Sequence, residues 1–347
     1  RRVPFNWNRY EFYEDGESLP PAEAREIDRI YERLHRHALR EGRKAGNGAK
    51  LSKAIASFRR ELPASQRDLL GHIVNSYWTH EFAADPERLS LGWFDEGANL
   101  RGTDQLVPSG YAGLFDALRE ADEIHLSRPV RTIRHGSGGV VLETDSGNLT
   151  ADAAIITVPL GVLKRGTPAF DPPLGGGHAL AIQRLGMGTL NKIHLRFPRV
   201  AWPRKIHAFG RINRSRLWAE WVNFVPISGQ PALMGFNGGR LAERLEQQSD
   251  AAIIASAMDA LRETFGRSFP SPIAAHITRW HSDPWSRGAY SSLAPGSTPR
   301  DRRNLAAPVH ERLLLAGEAC SVESPAMAHG AYRSGVGAAD YLLATLP

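Results

Sequence analysis

The stretch that decides the fold runs from Arg312 to Leu343 and reads RLLLAGEACSVESPAMAHGAYRSGVGAADYLL. It opens with an apolar run, Leu313 to Ala316, whose length and bounding Gly317 are typical of a buried strand. Glu318 follows directly, where ligands usually lie beside a parallel strand. Small residues then recur at helical spacing over 330–339, which lets a backbone or a flat ligand approach closely. The start of such a helix offers free N–H groups and about half a positive charge to an electron-rich group.

The pattern alone leaves two interpretations of this stretch open. It is either a buried strand followed by a closely packed helix of small residues, or the edge of a ligand-binding site. Further motifs elsewhere in the chain bear on the choice: DQLVPSGY at 104–111, TVPLGVLK at 157–164, LGMGTLNKIHLRF at 185–197, and W-x-x-D-P…G-x-Y-S at 280–291.

Together with AGEACS and AHGAYRSGVGAA near the C-terminus, these motifs resemble the FAD-dependent amine oxidase family. That family includes polyamine oxidases, monoamine oxidases, histone-demethylase relatives and L-amino-acid oxidases. The resemblance is good over residues 99–347 and looser before them. It implies an α/β (α+β) fold of two interleaved domains. One is an FAD-binding domain with a central sheet, incomplete in this chain, and the other is a substrate domain whose mixed sheet is flanked by helices.

The same resemblance implies a division of the chain into four pieces. Residues 1–98 are expected to form a helical segment that belongs mostly to the substrate domain. Residues 99–170 would be the second piece of the FAD-binding domain, 171–284 the substrate-binding domain, and 285–347 the C-terminal piece of the FAD-binding domain.

The resemblance also implies which residues contact FAD. Val130 would lie beside the adenine, the strand end at Thr157 would border the nucleotide, and Glu318 would meet the ribityl chain. The full expected set of cofactor-binding residues is Val130, Thr157, Pro159, Trp280, Gly317, Glu318, Met327, Ala328 and Gly330. Ala289 stands where the monoamine oxidases carry the cysteine that bonds FAD, so the resemblance implies non-covalent FAD.

Lys192 is the expected catalytic residue. A lysine at a strand start is otherwise a solvated edge charge, but the resemblance implies that Lys192 reaches the flavin N5 through a water. Tyr290 would form one wall of the substrate pocket. The opposite wall corresponds to Met327, which is not aromatic and therefore predicts a differently shaped amine pocket.

The family opens with a strand–turn–helix whose G-x-G-x-x-G glycines let the backbone approach the FAD pyrophosphate. No such fingerprint occurs in the 347 residues. A sheet without its first strands would expose an edge and leave the diphosphate unseated. We therefore expect a partner, either a small subunit or a processed fragment, that carries the Rossmann G-x-G-x-x-G segment.

The function expected from these observations is that of the large subunit of a split amine oxidase. It would oxidise a primary or secondary amine by hydride transfer to FAD, with O₂ reoxidation to hydrogen peroxide. An L-amino-acid oxidase or a tryptophan 2-monooxygenase-type enzyme is the first alternative, and would need an arginine such as Arg101 for the substrate carboxylate. A flavin-less binding or scaffold relative is the second.

Composition limits the remaining classes. The chain is 42% hydrophobic and 23% charged, as in an ordinary globular protein. Its net charge of +6 is spread out, apart from a basic run at 33–50, so no nucleic-acid partner is expected. Cys320 is the single cysteine, which excludes an internal disulfide and a multi-cysteine metal site. No apolar stretch long enough for a membrane span and no signal peptide is visible, which predicts a cytoplasmic protein with no membrane partner.

Periodicity predicts helices over 22–41, 51–60, 65–79 and 251–265. Short strands are predicted at 124–126, 130–133, 140–144, 153–158 and 191–197, with hairpin turns at 136–139 and 146–147. Further strands between 211 and 238 carry four aromatic residues that form either the floor of a substrate cavity or ordinary sheet core: Trp218, Trp221, Phe224 and Phe236.

Overall fold

The computed structural model of the chain describes residues 2–97, 102–118 and 123–346. The helices are α1 (Pro21–Gly42), α2 (Leu51–Glu61), α3 (Arg67–Ile73), α4 (Ala112–Leu118), α5 (Leu160–Leu163), α6 (Gly176–Arg184), α7 (Val225–Ser228), α8 (Gly239–Leu245), α9 (Asp250–Phe265), α10 (Pro299–Ala306) and α11 (Ala328–Thr345). The strands are β1 (Val3–Pro4), β2 (Tyr10–Glu14), β3 (Glu17–Ser18), β4 (Gln105–Leu106), β5 (Val130–Gly136), β6 (Gly139–Thr144), β7 (Gly147–Ala151), β8 (Ala154–Ile156), β9 (Ala169–Asp171), β10 (Gly186–Met187), β11 (Leu190–Arg196), β12 (Ala208–Ile212), β13 (Glu220–Asn223), β14 (Ala232–Gly238), β15 (Ala274–Ile277), β16 (Ser291–Ser292) and β17 (Leu313–Leu315).

The N-terminal helices form because apolar residues recur every three or four positions. In α1 the residues Ile27, Ile30, Leu34 and Ala38 are fully buried, and Pro21 begins the helix where its missing N–H costs nothing. This face packs on α2 and α3 in one apolar cluster. The predicted helix over 65–79 is therefore present, but its second half, 74–79, is a π-helical segment rather than an α-helix. A π-helical turn accommodates an extra residue within a helix and is frequently found at functional sites.

The largest sheet has seven strands in the order β15-β11-β14-β13-β12-β2-β3. All its neighbours are antiparallel except β2, which pairs with β12 in parallel. The N-terminal strand β2 thus lies in the same sheet as β11–β15, far later in the chain. Helix α9 covers one face of this sheet. Ser249 caps the N-terminus of α9, because its side chain accepts a hydrogen bond from the Ala252 N–H.

The two buried tryptophans of β13 and the segment before it belong to the core under α9. Trp218 is 3% exposed and donates its indole N–H to Ser256 on α9, and Trp221 is 0% exposed. Of the four aromatic residues considered for a cavity floor, Trp218 and Trp221 lie on the face of the sheet that α9 covers. Phe224 and Phe236 lie on the face away from α9, packed beside Val222 and Met234.

A second unit holds the stretch that decides the fold. Strands β7-β6-β5-β9 form a four-stranded sheet, and β17 pairs with β8 in parallel, Leu313 opposite Ala154 and Leu315 opposite Ile156. Both strands are buried in a cluster with α5, α6 and α10, as their continuous apolar sequences predict. Beside these, β1 pairs with β4 and β10 with β16.

The α/β fold class is as predicted, and the hairpins at 136–139 and 144–147 are present. The strand predicted at Ile124–Leu126 is wrong, because these residues lie outside any sheet and Leu126 is 81% exposed. The strand Gly147–Ala151 was not predicted, since its polar sequence carries no apolar alternation. Within the described ranges, no helix combines the length and the apolarity that crossing a membrane requires.

We expect Trp221→Ala to lower the free energy of unfolding by about 3–5 kcal/mol, because it leaves a cavity in the core under α9. Trp285→Ala is the matched control, since Trp285 is 63% exposed and its loss should cost no more than about 0.5 kcal/mol. Urea unfolding followed by circular dichroism measures both. Equal losses in the two variants would contradict the assignment of Trp221 to the core.

Candidate functional site

A cavity of ≈ 310 Å³ opens at the carboxyl ends of β8 and β17. Because parallel strands end at the same edge, the residues that follow each strand meet there. Thr157 and Pro159 follow β8, Gly317 and Glu318 follow β17, and all four line the cavity. Ala289 lies on the same wall. The structure therefore brings together four of the nine predicted cofactor-binding residues.

The Glu318 carboxylate is held in place by three donors. Oε1 accepts a hydrogen bond from the Ser291 N–H at 3.0 Å, and Oε2 accepts from the Ser291 hydroxyl at 2.6 Å and from the Ala326 N–H at 2.9 Å. A carboxylate accepts about four such bonds, so one acceptor position of Glu318 remains for a ligand. Its orientation is fixed before any ligand arrives.

Arg302 extends this network into the interior. The guanidinium is 0% exposed, donates to the Ser291 hydroxyl at 2.7 Å, and donates twice to Glu96 at 2.8 and 2.7 Å. Burial raises the pKa of the Glu96 carboxyl, against the opposing effect of its bonds to Arg302. The paired fork geometry of arginine and carboxylate is the arrangement in which a buried charge pair is best satisfied.

The N-terminus of α11 faces the same region. Met327 is the N-cap residue, no side chain caps the helix, and Met327 is 47% exposed. Ser334, two turns further on, accepts a hydrogen bond from the Gly317 N–H at 2.7 Å and so ties the helix to the end of β17. Gly330 is required by a close approach, because a Cβ atom there would lie 1.9 Å from the Ser324 carbonyl oxygen.

These features fit the ring and ribityl portion of a flavin. Gly317 has φ +138°, and nothing lies within 4 Å of the Cβ position, so the backbone is open to a ligand at this point. The uncapped helix offers N–H groups to an electron-rich ring edge. His329 is the second residue of α11, and its buried Nε2 has no hydrogen-bond partner among the described residues. Since buried polar atoms are usually hydrogen-bonded, a ligand could supply this partner.

Five of the predicted cofactor-binding residues lie away from the wall of this cavity. Val130 begins β5 and packs into the apolar cluster under that sheet. The Trp280 residue is 42% exposed. Its backbone N–H donates to the Asn191 side chain, and its backbone carbonyl accepts a hydrogen bond from the Gly288 N–H. The remaining three lie together at the start of α11: Met327, Ala328 and Gly330.

A row of side chains crosses the seven-stranded sheet on the face away from α9. Lys192 on β11 is directly opposite Phe236 on β14, which is directly opposite Glu220 on β13. The Lys192 ammonium lies 5.8 Å from the centre of the Phe236 ring, a cation–π contact. At about 4.8 Å per strand, Glu220 lies about 10 Å across the sheet from Lys192.

Lys192 is a desolvated cation. Burial lowers the pKa of its ammonium below the ordinary value of 10.5, and no described carboxylate lies within ion-pair distance of it. Its strand is fixed at this point, since Lys192 N–H donates to the Thr278 hydroxyl at 2.8 Å and its carbonyl accepts from Thr278 N–H at 3.0 Å.

His80 and Glu220 form a pair that sequence reasoning missed. His80 follows the π-helical segment, and its Nδ1 donates to Glu220 Oε2 at 2.9 Å while Asn75 donates to Nε2 at 3.3 Å. The Tyr290 hydroxyl donates to the His80 carbonyl at 2.7 Å. The one signal available in the sequence was a charged Glu220 at the start of the short strand EWVN.

Glu81 adds a second carboxylate to this region. Desolvation raises its pKa, and repulsion from Glu220 and Asp104 adds to the rise. Burial likewise raises the pKa of Tyr290, with Glu81 contributing. The face around Tyr290 is therefore rich in carboxylates. The aromatic cage of Tyr290 opposite Met327 stays a prediction, and Arg101 lies outside the described residues.

Known proteins resemble this chain along most of its length. A family model described as flavin containing amine oxidoreductase matches residues 4–343. Lysine-specific histone demethylase 1 homolog 2 of Oryza sativa subsp. japonica is 32% identical, over 96% of this chain and 46% of its own length. Polyamine oxidase 2 of Arabidopsis thaliana is 32% identical, over 94% of this chain and 67% of its own length.

Solved structures show the same fold. Putrescine oxidase bound to putrescine superposes with a TM-score of 0.73 over 99% of this chain and 83% of the putrescine oxidase chain, at 19% identity. At that identity the likeness concerns the fold alone. The chain spans about half the length, or less, of several curated relatives that it matches.

We expect Gly330→Ala to lower the free energy of unfolding by about 1–3 kcal/mol, because the added Cβ forces α11 away from the Ser324 carbonyl. Gly335→Ala in the same helix is the matched control. Nothing lies within 4 Å of its Cβ position, so alanine should stabilise the helix by about 0.5–1 kcal/mol. Opposite signs in urea unfolding support the close approach, and the same sign in both contradicts it.

We expect Glu96→Ala to lower the free energy of unfolding by about 3–5 kcal/mol, because it leaves the buried positive charge of Arg302 without its carboxylate partner. Asp145→Ala removes one partner of the exposed Arg131–Asp145 pair and should cost no more than about 1 kcal/mol. Thermal and urea unfolding of the two variants side by side give the comparison. A loss at Glu96 as small as that at Asp145 would show that the buried network is not needed for stability.

Proposed function

Because the chain belongs to the flavin-containing amine oxidoreductase family, we propose that it oxidises a primary or secondary amine with non-covalent FAD. The observation that carries the proposal is the row across the sheet, which places an unpaired lysine and a carboxylate on one face. Ala289 lines the cavity at the end of β17, and a methyl group offers no covalent attachment for the flavin.

The chemistry that FAD supplies when bound is acceptance of a hydride, followed by reoxidation with O₂ to hydrogen peroxide. The residues that would hold it are Thr157, Pro159, Gly317 and Glu318 at the strand ends and the N-terminus of α11. Arg302 and Ser291 keep the Glu318 carboxylate in one orientation, so this part of the site is preorganised.

Lys192 is proposed as the catalytic residue. Its ammonium is partly desolvated and carries no described carboxylate partner, so its field is not cancelled by an ion pair. A positive charge placed this way stabilises negative charge that develops nearby during the reaction, and it can hold a water by donating to it. Thr278 fixes the backbone on which the lysine stands.

The carboxylates favour an amine that carries a second positive charge. Glu220 and Glu81 lie on the face that holds Tyr290, and carboxylates bind ammonium groups by charge-assisted hydrogen bonds. The reacting nitrogen must be unprotonated, since the carbon beside a neutral amine is the hydride donor. A second ammonium on the substrate would be held by Glu220, about 10 Å across the sheet from Lys192.

An L-amino-acid oxidase or tryptophan 2-monooxygenase-type activity needs a cation for the substrate carboxylate. The described residues around Tyr290 present carboxylates instead, which would repel such a substrate. A flavin-less scaffold would have no use for an open Gly317 backbone and an uncapped helix. The amine is therefore the function that the site supports best.

The decisive experiment is optical. The purified protein should be yellow, should bleach when an amine is added without O₂, and should release peroxide when air is admitted. A panel of putrescine, spermidine, phenethylamine and L-tryptophan separates the candidates. A colourless protein that binds no added FAD would contradict the proposal. Turnover of L-tryptophan alone would show that the substrate is an amino acid rather than an amine.

We also propose that the G-x-G-x-x-G segment, which binds the FAD diphosphate, is supplied by a small subunit or a processed fragment outside residues 1–347. Two features support this. The parallel pair β8–β17 has no further described strand at either edge. The side chains of Tyr332 and Val336 on α11 are 58% and 43% exposed, an apolar face that a further layer could cover.

Purification of residues 1–347 alone tests this second proposal. We expect weak flavin retention that improves when a polypeptide carrying the glycine segment is supplied in trans. A fully flavin-loaded, monomeric product would contradict it. If a longer polypeptide carries the segment upstream in the same chain, the site is completed in cis and the split arrangement is wrong.

We expect Lys192→Met to lower kcat for the amine roughly 10²-fold, because the positive charge near the reacting atoms is lost. Lys192→Arg keeps the charge and should retain more activity. In the wild type, activity should fall at alkaline pH as Lys192 loses its proton. Since its pKa is lowered, the midpoint should lie below 10.5. The alkaline fall should be absent in Lys192→Met, and a methionine variant with unchanged kcat would exclude the catalytic assignment.

We expect Glu220→Gln to raise KM for putrescine by about 10-fold or more, since it removes a charge-assisted bond to the second ammonium. KM for phenethylamine, which has no second charge, should change much less. Glu17→Gln on the exposed strand β3 is the control and should alter neither value. Equal effects on both amines would show that Glu220 acts only through its bond to His80.

A further inference from the structure

A second, larger recess lies beside the π-helical segment. It has a volume of ≈ 1060 Å³ and shares no lining residue with the cavity at the end of β17. Its walls come from α2, α3, the turn after β12, and α8. We call it the arginine-rimmed groove, after the six arginines that line it: Arg59, Arg67, Arg214, Arg216, Arg240 and Arg244.

The charges in this groove are only partly compensated. Arg240 is paired, with Asp85 at 3.1 Å and with Glu87 at 3.1 Å. Within the described residues, the other five arginines have no carboxylate oxygen within 4.0 Å. Three carboxylates that line the groove, Glu14, Asp15 and Asp68, likewise have no Lys, Arg or His nitrogen within that distance. Unpaired guanidinium groups therefore outnumber unpaired carboxylates.

His72 is the observation that points to a ligand. It lines the groove and is only 2% exposed, and neither ring nitrogen makes a hydrogen bond of normal geometry in the described structure, although the Arg211 backbone lies close enough to oppose the lowering of its pKa. Leaving a buried polar group unpaired costs about 1–3 kcal/mol. Burial lowers the pKa of His72 to about 4, so near neutral pH the ring is uncharged, with one N–H donor and one acceptor to offer.

The floor of the groove adds polar atoms. Asn75 and Thr79 of the π-helical segment line it, as does Gly238 at the end of β14. The buried His72 ring and the six exposed arginine side chains line the same groove. That combination suits the oxygen atoms of phosphate or carboxylate groups, which accept several hydrogen bonds at once.

We propose that the arginine-rimmed groove binds a small molecule with at least two negative charges, which the His72 ring and the unpaired arginines bind together. The ligand is a polyphosphate or a polycarboxylate, since both present the same array of acceptor oxygens. This binding function is separate from amine oxidation and does not rest on it.

Isothermal titration calorimetry tests the proposal, with inorganic pyrophosphate and citrate as probes at 0.15 M NaCl. FAD-saturated protein is used, so that pyrophosphate cannot report on the flavin site, and the titration is repeated without added FAD. We expect one saturable site in the wild type. Which probe binds more tightly tells phosphate from carboxylate as the ligand chemistry.

Two variants and one control decide the site. Arg214→Ala/Arg216→Ala should weaken binding at least 10-fold. His72→Phe should weaken it similarly while leaving the thermal midpoint equal or higher, because it removes an unpaired buried group. Arg300→Ala/Arg303→Ala on α10 should change nothing.

Absence of saturable binding of either probe would overturn the proposal, and so would binding that the groove variants leave unchanged. Weakening by the arginine variant alone, with His72→Phe unaffected, would also overturn it. Such a result would mean surface attraction rather than a built site.

Discussion

The buried Arg302–Glu96 pair is the interaction on which the candidate flavin site depends. A guanidinium with no exposed surface is tolerable only because each of its three nitrogens donates to an acceptor. One of those acceptors is the Ser291 hydroxyl, which in turn donates to Glu318. The carboxylate at the mouth of the cavity is therefore aimed by a charge buried inside the protein. Three separate stretches of chain meet in this network, and none can shift without leaving a buried charge unsatisfied.

The other half of the site depends on the register of a sheet rather than on a charge. Lys192, Phe236 and Glu220 share a face because β11, β14 and β13 are neighbours in the sheet, although they do not follow one another in that order along the chain. A slip of one residue in any of these strands would turn its side chain toward α9. The apolar face under α9, with Ile193, Leu195 and Trp221 fully buried, is what prevents that slip. Core packing on one side thus sets the chemistry on the other.

Sequence reasoning succeeded where local pattern and function coincide. Leu313–Leu315 had to be a buried strand, so Glu318 had to lie at a strand end, and both follow from residues a few positions apart. It failed where the relevant neighbour is distant in sequence. His80 and Glu220 are 140 residues apart, and no periodicity joins them. Trp218 and Trp221 were assigned no face, because alternation reveals which residues share a face of the sheet but not which face a helix such as α9 covers.

The parallel pair β8–β17 has a consequence for how the protein is made. Asp152, just before β8, and Arg312, just before β17, are 160 residues apart. A ribosome adds about 5–20 residues per second, so the earlier strand waits on the order of 10–30 s for its neighbour to be synthesised. During that interval the backbone edge of β8 lacks the strand that pairs with it. This sheet therefore cannot form until β17 has been synthesised, and the nascent chain offers a chaperone that interval in which to act.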